Sequence, residues 1–276
     1  MKGKPSFLRI GGWFALIFAW LAGSTKVPAD TGADFEAANL LYEKGRFAEA
    51  AHAYEALIAQ EVRTPAILFN AGNAWFKAGR TGRAVAHWLE AEASAPRNER
   101  IQINLEFARK AVTGGAIPVP LWPVQLRLLT LNEWASITLA TTWLFCGSLA
   151  LGAWRPSWRN PLRVPVVLAG LALMGVVALT TITARDRART VIAVVIADEA
   201  VVHFGPLNES ASAFVARDGS EFRVTDRKEE WLRVEDALGR EGWLLATQVV
   251  QIKAGRMVAR ESLDEKRTPV PVQASL

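Results

Sequence analysis

The side chains in this sequence that could do covalent or metal chemistry are three histidines, one cysteine and scattered carboxylates. Their spacing supports neither. His52, His87 and His203 show no ligand spacing with each other or with carboxylates. Cys146 is the sole cysteine and lies in an apolar run, so no intrachain disulfide and no cysteine-based metal site can form. Glu229 and Glu230 sit together in a charged, turn-like stretch. There is no glycine-rich phosphate loop, no nucleophile elbow and no His-Glu-x-x-His. The expectation is a chain that is not an enzyme, with no catalytic residue, no metal and no cofactor. What remains is recognition chemistry. Asn39, Asn70, Asn73 and Asn104 carry amides that can pair with the main chain of a peptide, and Lys77 and Arg100 can receive a carboxylate.

Those six side chains need a scaffold, and a repeat supplies it. Gly45, Ala50 and Tyr54 recur as Gly79, Ala84 and Trp88, each 34 residues on, and Phe35, Asn39 and Tyr42 recur as Phe69, Asn73 and Phe76. A 34-residue period of two helices resembles the tetratricopeptide (TPR) solenoid. In the second copy Gly72 stands where the first helix must approach its neighbour, Ala84 and Ala91 are small contacts on the second, and Pro96 ends it. A third copy from Glu99, with Ile101, Leu105 and Arg109, reads as a closing helix over the open end. The resemblance implies a concave face bearing Asn39, Asn70, Asn73, Lys77, Arg100 and Asn104, which form either a polar peptide groove or solvated helix faces. It resembles part of a carboxylate clamp, except that Phe35 stands where that clamp has its first lysine. His52 and His87 are expected on outer helix faces.

Charge and hydropathy divide the rest. Residues 30–116 and 184–276 each carry a net charge of −1, while 1–29 and 117–183 together carry +7 of the total +5. The basic excess therefore flanks apolar runs, where Lys and Arg orient a chain in a bilayer. No folded part has the basic face that a nucleic-acid partner needs. Lys2, Lys4 and Arg9 precede an uncharged stretch and Val27-Pro28-Ala29, which predicts a signal peptide over 1–29, with an uncleaved anchor helix over Phe7 to Ala22 as the alternative. Two further uncharged runs, 134–154 and 164–183, are each long enough to cross about 30 Å of hydrocarbon. Trp134, Trp154 and Trp158 suit the two interfaces. Between the runs lies a basic loop, 155–163, holding Arg155, Arg159 and Arg163 and predicted to face the cytoplasm. Arg185, Arg187 and Arg189 argue for the opposite orientation, and the signal-like start decides against them. Both soluble domains are then expected on the periplasmic side of the bacterial inner membrane.

After residue 188 the pattern turns to short runs rich in Val, Phe and Trp, split by Gly-Pro and Asp-Gly turns. About seven strands predict a small all-β barrel over 188–253. Trp231-Leu232-Arg233-Val234 followed by Gly239-Arg240-Glu241-Gly242-Trp243 resembles the end of a bacterial SH3 domain, which implies a cell-wall peptide or a protein as ligand. Trp231 and Trp243 either line such a groove or fill the core, and the apolar run Trp243-Leu244-Leu245 favours core. Residues 254–276 lack periodicity and read as a disordered tail.

The whole order, with TPR domain 30–116, juxtamembrane linker 117–133, two spans and an SH3-like domain, makes a multidomain chain. It resembles the BatE family of the bacterial aerotolerance operon. That resemblance implies a membrane-anchored interaction scaffold assisting an envelope complex with von Willebrand A-domain proteins and a MoxR-type ATPase. The expected partners are membrane proteins of that complex, a peptide or peptidoglycan ligand, and the lipid bilayer. The alternative is a peptidoglycan-binding protein acting through the SH3-like domain.

Overall fold

The computed structural model describes residues 31–113, 126 and 128–258. The expected signal peptide and residues 259–276 lie outside them. Five helices come first: α1 (Thr31–Glu43), α2 (Phe47–Ala59), α3 (Pro65–Lys77), α4 (Thr81–Ser94) and α5 (Glu99–Thr113). Their starts and stops are local chemistry. The Thr64 hydroxyl accepts from the Ile67 N–H at 3.3 Å, and Pro65 at the first helical position gives up no hydrogen bond. Gly45 and Gly79 turn the chain after α1 and α3 with φ of 75° and 79°, so the 34-residue period is visible in the backbone itself. At Gly72 a Cβ would lie 2.4 Å from Trp88 Nε1, which explains why α3 carries glycine there.

Helix α4 departs from the amphipathic pattern, because nine of its fourteen residues are buried, including every residue from Ala84 to Ala91. It has neighbours on opposite sides. One is the repeat core around Leu57, Leu68, Trp88 and Leu105; the other is a sheet formed by the C-terminal part of the chain. Val194 and Ile252 of that sheet are buried in the same apolar cluster as the repeat, with Ile192, Val250 and Met257 packed against it.

The sheet has eight antiparallel strands: β1 (Val191–Val195), β2 (Glu199–His203), β3 (Ser212–Arg217), β4 (Glu221–Lys228), β5 (Trp231–Glu235), β6 (Glu241–Leu245), β7 (Val249–Lys253) and β8 (Arg256–Val258). They pair in the order β3-β2-β6-β5-β4-β1-β7-β8. Strands β1 to β7 all send side chains into a second core around Val195, Val202, Phe222, Leu232, Val234 and Leu244, so the sheet is strongly curved. The pairing order is open, with β3 and β8 at its ends, where closure into a barrel was expected. Strand β8 also falls in the stretch 254–276 expected to be a tail. Its register on β7 is held by the turn at Ala254-Gly255, both at positive φ, and Gly255 lies against Ala93 of α4. Strand β1 faces two cores at once, Ala193 and Val195 inward and Val194 toward α4. That is why its sequence Val-Ile-Ala-Val-Val does not alternate with polar residues.

Between repeat and sheet run α6 (Leu131–Trp154) and α7 (Arg159–Arg189), an antiparallel hairpin. Thr130 and Glu133 cap the start of α6 reciprocally. Phe145 packs on Gly170, and the Thr138 and Thr180 hydroxyls meet at 3.0 Å. Both helices are long and apolar enough to cross a membrane, and almost none of their residues is buried. The expected loop 155–163 shrinks to the single turn Pro156–Trp158, because α7 already begins at Arg159. Pro161 does not prevent this, since a first-turn residue needs no amide donor. Trp134, expected at an interface, is buried and donates Nε1–H to the Leu126 carbonyl at 3.2 Å.

The junction of α4 with the sheet is polar at its rim. Arg80, which precedes α4, offers no side-chain cap; the carboxylate of Asp218 in the β3–β4 turn accepts from the Gly82 N–H at 2.9 Å instead. A Cβ on Gly82 would stand 1.9 Å from the Val195 carbonyl oxygen. Arg109 of α5 makes a two-pronged pair with Glu221 of β4 at 2.7 and 2.9 Å. Burial pushes the Asp218 carboxyl above the usual carboxylate range, against the backbone donors of Gly82 and Thr81. A carboxyl raised in the folded state favours folding most when protonated, and its contribution falls as pH rises through the raised value. Asp218→Asn, which keeps the acceptor without the charge, should therefore leave thermal stability equal or higher at neutral pH. Asp218→Ala should lower it by about 1 kcal/mol, and Gly82→Ala by about 1–3 kcal/mol.

Candidate functional site

The expected groove residues lie on α1, α3 and α5, and most are brought together as two copies of one arrangement. In the first, the Asn39 amide oxygen accepts from the Tyr54 hydroxyl at 2.6 Å and from Asn70 Nδ2 at 3.5 Å. In the second, Asn73 Oδ1 accepts from Trp88 Nε1 at 3.2 Å and from Asn104 Nδ2 at 2.8 Å. Each residue of the second set stands 34 positions after its counterpart. The amide oxygens of Asn39 and Asn73 are thus occupied in tying successive helices, and all four asparagines are half-buried.

Asn73, Lys77 and Asn104 share the rim of a pocket of about 160 Å³, with Tyr42, Phe76, Trp88 and Phe107. Its wall is aromatic: Phe76 meets Trp88 at 5.6 Å and Phe107 edge-on at 5.9 Å between ring centroids. Phe107 is 60% exposed and Ile103 61%, so α5 leaves an apolar stripe in solvent beside the pocket. Lys77 is exposed and places a cation at this rim. Arg100 is also exposed but does not line the pocket; its backbone N–H is held by Asn98 Oδ1 at 3.1 Å. Asn39 and Asn70 belong to the neighbouring copy. The aromatic wall was missed in the sequence, although Phe76 and Phe107 could have been found as large side chains on the faces that carry the asparagines.

Of the two histidines expected on outer faces, His52 is exposed, and only His87 is drawn into a buried polar cluster. His87 is buried, and its Nε2–H donates to Glu55 Oε1 at 3.2 Å. His52 Nδ1 is 3.3 Å from the other oxygen, and Trp75 Nε1–H donates to Oε1 at 2.9 Å. Burial works against the charge on Glu55, yet the hydrogen bonds from His87 and Trp75 and the nearby Arg83 hold its carboxyl below the usual range. His87 is buried because it faces Glu55 of α2 inside the repeat and not solvent. One turn further, Glu90 is buried and paired with Arg63, while His87 Nδ1, Glu90 Oε2 and Arg63 Nε have no hydrogen-bond partner. Among the described residues no group of three histidine, cysteine or carboxylate side chains is placed to hold a metal ion.

On the sheet, strand β6 alternates with Gly242 and Leu244 inward. The expected core position of Trp243 is thereby corrected. It points to the opposite face, half-buried, across from Arg233 of β5 and His203 of β2. Trp231 shares that face, is 8% exposed and meets the His203 ring edge-on at 5.4 Å. Trp231 is buried, though neither tryptophan joins the two apolar clusters described above. A Cβ on Gly242 would meet Val202 at 2.4 Å, so the glycine serves the core that Trp243 does not enter.

Asn73→Ala removes the acceptor of two side-chain donors, one of them on a buried tryptophan, and should cost about 1–3 kcal/mol of folding stability. Lys77→Ala, at an exposed rim, should change it by no more than about 0.5 kcal/mol. On the sheet, Leu244→Ala should cost about 2–5 kcal/mol, and Trp243→Ala markedly less. Chemical denaturation of the four variants checks both orderings.

A family model of the tetratricopeptide repeat matches residues 35–99. Neither the curated proteins nor the solved structures give a match. Residues 35–99 are thus similar to tetratricopeptide repeats, a non-catalytic interaction fold whose presence implies protein partners.

Proposed function

We propose that the chain is a membrane-anchored interaction scaffold of the bacterial cell envelope, holding a peptide segment of a partner membrane protein between α3 and α5. The observation that carries this proposal is the pocket of Phe76, Phe107, Tyr42 and Trp88 with Lys77, Asn73 and Asn104 at its rim. An apolar side chain of an extended peptide fits the aromatic wall. The free hydrogen-bonding capacity of the asparagines takes its main chain, and Lys77 takes a neighbouring carboxylate. In this scheme 30–116 is the repeat domain, α6 and α7 span the inner membrane, and 188–258 is an SH3-like domain.

Topology is supported by the packing of α4 on the sheet. The chain leaves the repeat, passes through a two-helix hairpin and returns to the same body, so repeat and sheet share one side of the membrane. That side is the periplasm, and the turn at 155–158 is cytoplasmic. Arg187, one of the arginines that oppose this orientation, is tied through its guanidinium to the Leu129 carbonyl at 2.7 Å. By resemblance to the BatE family, the partners are von Willebrand A-domain membrane proteins working with a MoxR-type ATPase. Peptidoglycan binding is a second reading, favoured by the outward face of Trp243 across from His203.

Reporters active only outside the cytoplasm should respond at positions 115 and 252 and stay silent at 158. A signal at 158 would reverse the topology. Capture of partner membrane proteins from mild detergent should weaken by about 2–4 kcal/mol in Lys77→Ala with Phe107→Ala, with the sacculus-binding level unchanged. Undiminished capture by the folded double variant would remove the pocket from the proposal.

A further inference from the structure

The turn between α6 and α7 gathers three arginines in a stretch of sequence that holds no carboxylate. From Trp134 to Ala184 the only charged residues are Arg155, Arg159 and Arg163. All three are exposed, and none makes an ion pair with any described residue. Their placement is defined. Arg155 lies 5.6 Å over the ring of Trp154, and Arg159 Nε–H donates to the Gly152 carbonyl at 3.1 Å, which bends that side chain back across the turn. Arg163 is one helical turn after Arg159 and shares its face. Trp154 and Trp158 stand beside them, 77% and 45% exposed.

Helix length sets the depth of this group. Arg163 and Arg185 are separated by about 33 Å of α7 at 1.5 Å per residue, close to the roughly 30 Å of a hydrocarbon core. With α7 across the membrane, Arg163 sits at one boundary, and Arg155 and Arg159 lie beyond it among the headgroups. Guanidinium groups bind phosphate through two parallel N–H donors, and exposed indoles favour the same layer.

Resting on the spanning arrangement proposed above, we propose that Arg155, Arg159 and Arg163 form a binding site for the phosphate of anionic phospholipids in the cytoplasmic leaflet. The unanswered charge selects anionic over zwitterionic headgroups, and the flanking tryptophans exclude water from the contact. Such lipids fix the depth of the hairpin and so the height at which the docked repeat and sheet stand over the membrane.

The test uses the full chain in detergent with equal amounts of phosphatidylglycerol and phosphatidylcholine, read by native mass spectrometry. Phosphatidylglycerol should be retained in preference, the preference falling roughly fivefold for each arginine changed to glutamine and vanishing in Arg155→Gln/Arg159→Gln/Arg163→Gln. Arg185→Gln, at the other end of α7, should keep it. Equal retention of the two lipids by the unaltered chain, or a triple variant with full preference, overturns the site. Displacement of phosphatidylglycerol by inorganic phosphate would show a small-anion site and also overturn the lipid assignment. The spanning arrangement is checked separately by alkaline extraction of cell membranes. A chain that resists extraction yet shows no lipid preference sinks the lipid site alone, whereas a chain that is extracted sinks the spanning arrangement beneath it.

Discussion

The packing of α4 between the repeat core and the β1–β7 side of the sheet is the constraint on which the rest of the structure depends. A helix at the end of a short repeat stack would leave one face in water, and α4 has almost none to leave. Its apolar residues serve two partners, its N-terminus is capped by a carboxylate 136 residues away, and Gly82, Gly219 and Gly255 lie where side chains would keep helix and sheet apart. Hydrophobic burial drives the contact, and Asp218, Arg109 and Glu221 set its register.

Docking also orders the groove. Helix α5 forms one wall of the aromatic pocket through Asn104 and Phe107, and on its other side it holds Glu221 through Arg109. The sheet therefore positions a wall of the pocket that it does not touch. A two-repeat stack is short for a solenoid, whose stability comes from neighbours. Here the sheet takes the place of a further repeat at the α4 face, while α5 closes the end. The two asparagine ties, repeated at 34 residues, then hold the helices in step along the concave side.

Much of this was legible in the sequence, and the remainder was hidden for physical reasons. The repeat showed itself because Gly45 and Gly79 must take positive φ and Tyr54 and Trp88 must fill equivalent places. The two apolar helices showed themselves by length and lack of charge. The docking did not, since periodicity reports what a segment buries in its own element and not against a segment a hundred residues away. Even so, two signals were present. Val191 to Val195 is a strand with no polar side, and Ala84 to Ala91 has almost none. The position of Trp243 was misread from its apolar neighbours; in a strand the alternation counts, and Gly242 and Leu244 had already taken the inward places. The asparagines lie on α1, α3 and α5, but one sequence could not show that Asn39 and Asn73 already use their amide oxygens inside the fold.

The docking is tested most directly by a double-mutant cycle on Arg109 and Glu221, read as folding stability of the full chain. Arg109→Glu and Glu221→Arg should each destabilise it, by about 3–5 kcal/mol where a buried charge loses its partner, and the two together should recover a large part of the loss. Losses that simply add would contradict the contact between α5 and β4, and with it the single body formed by repeat and sheet.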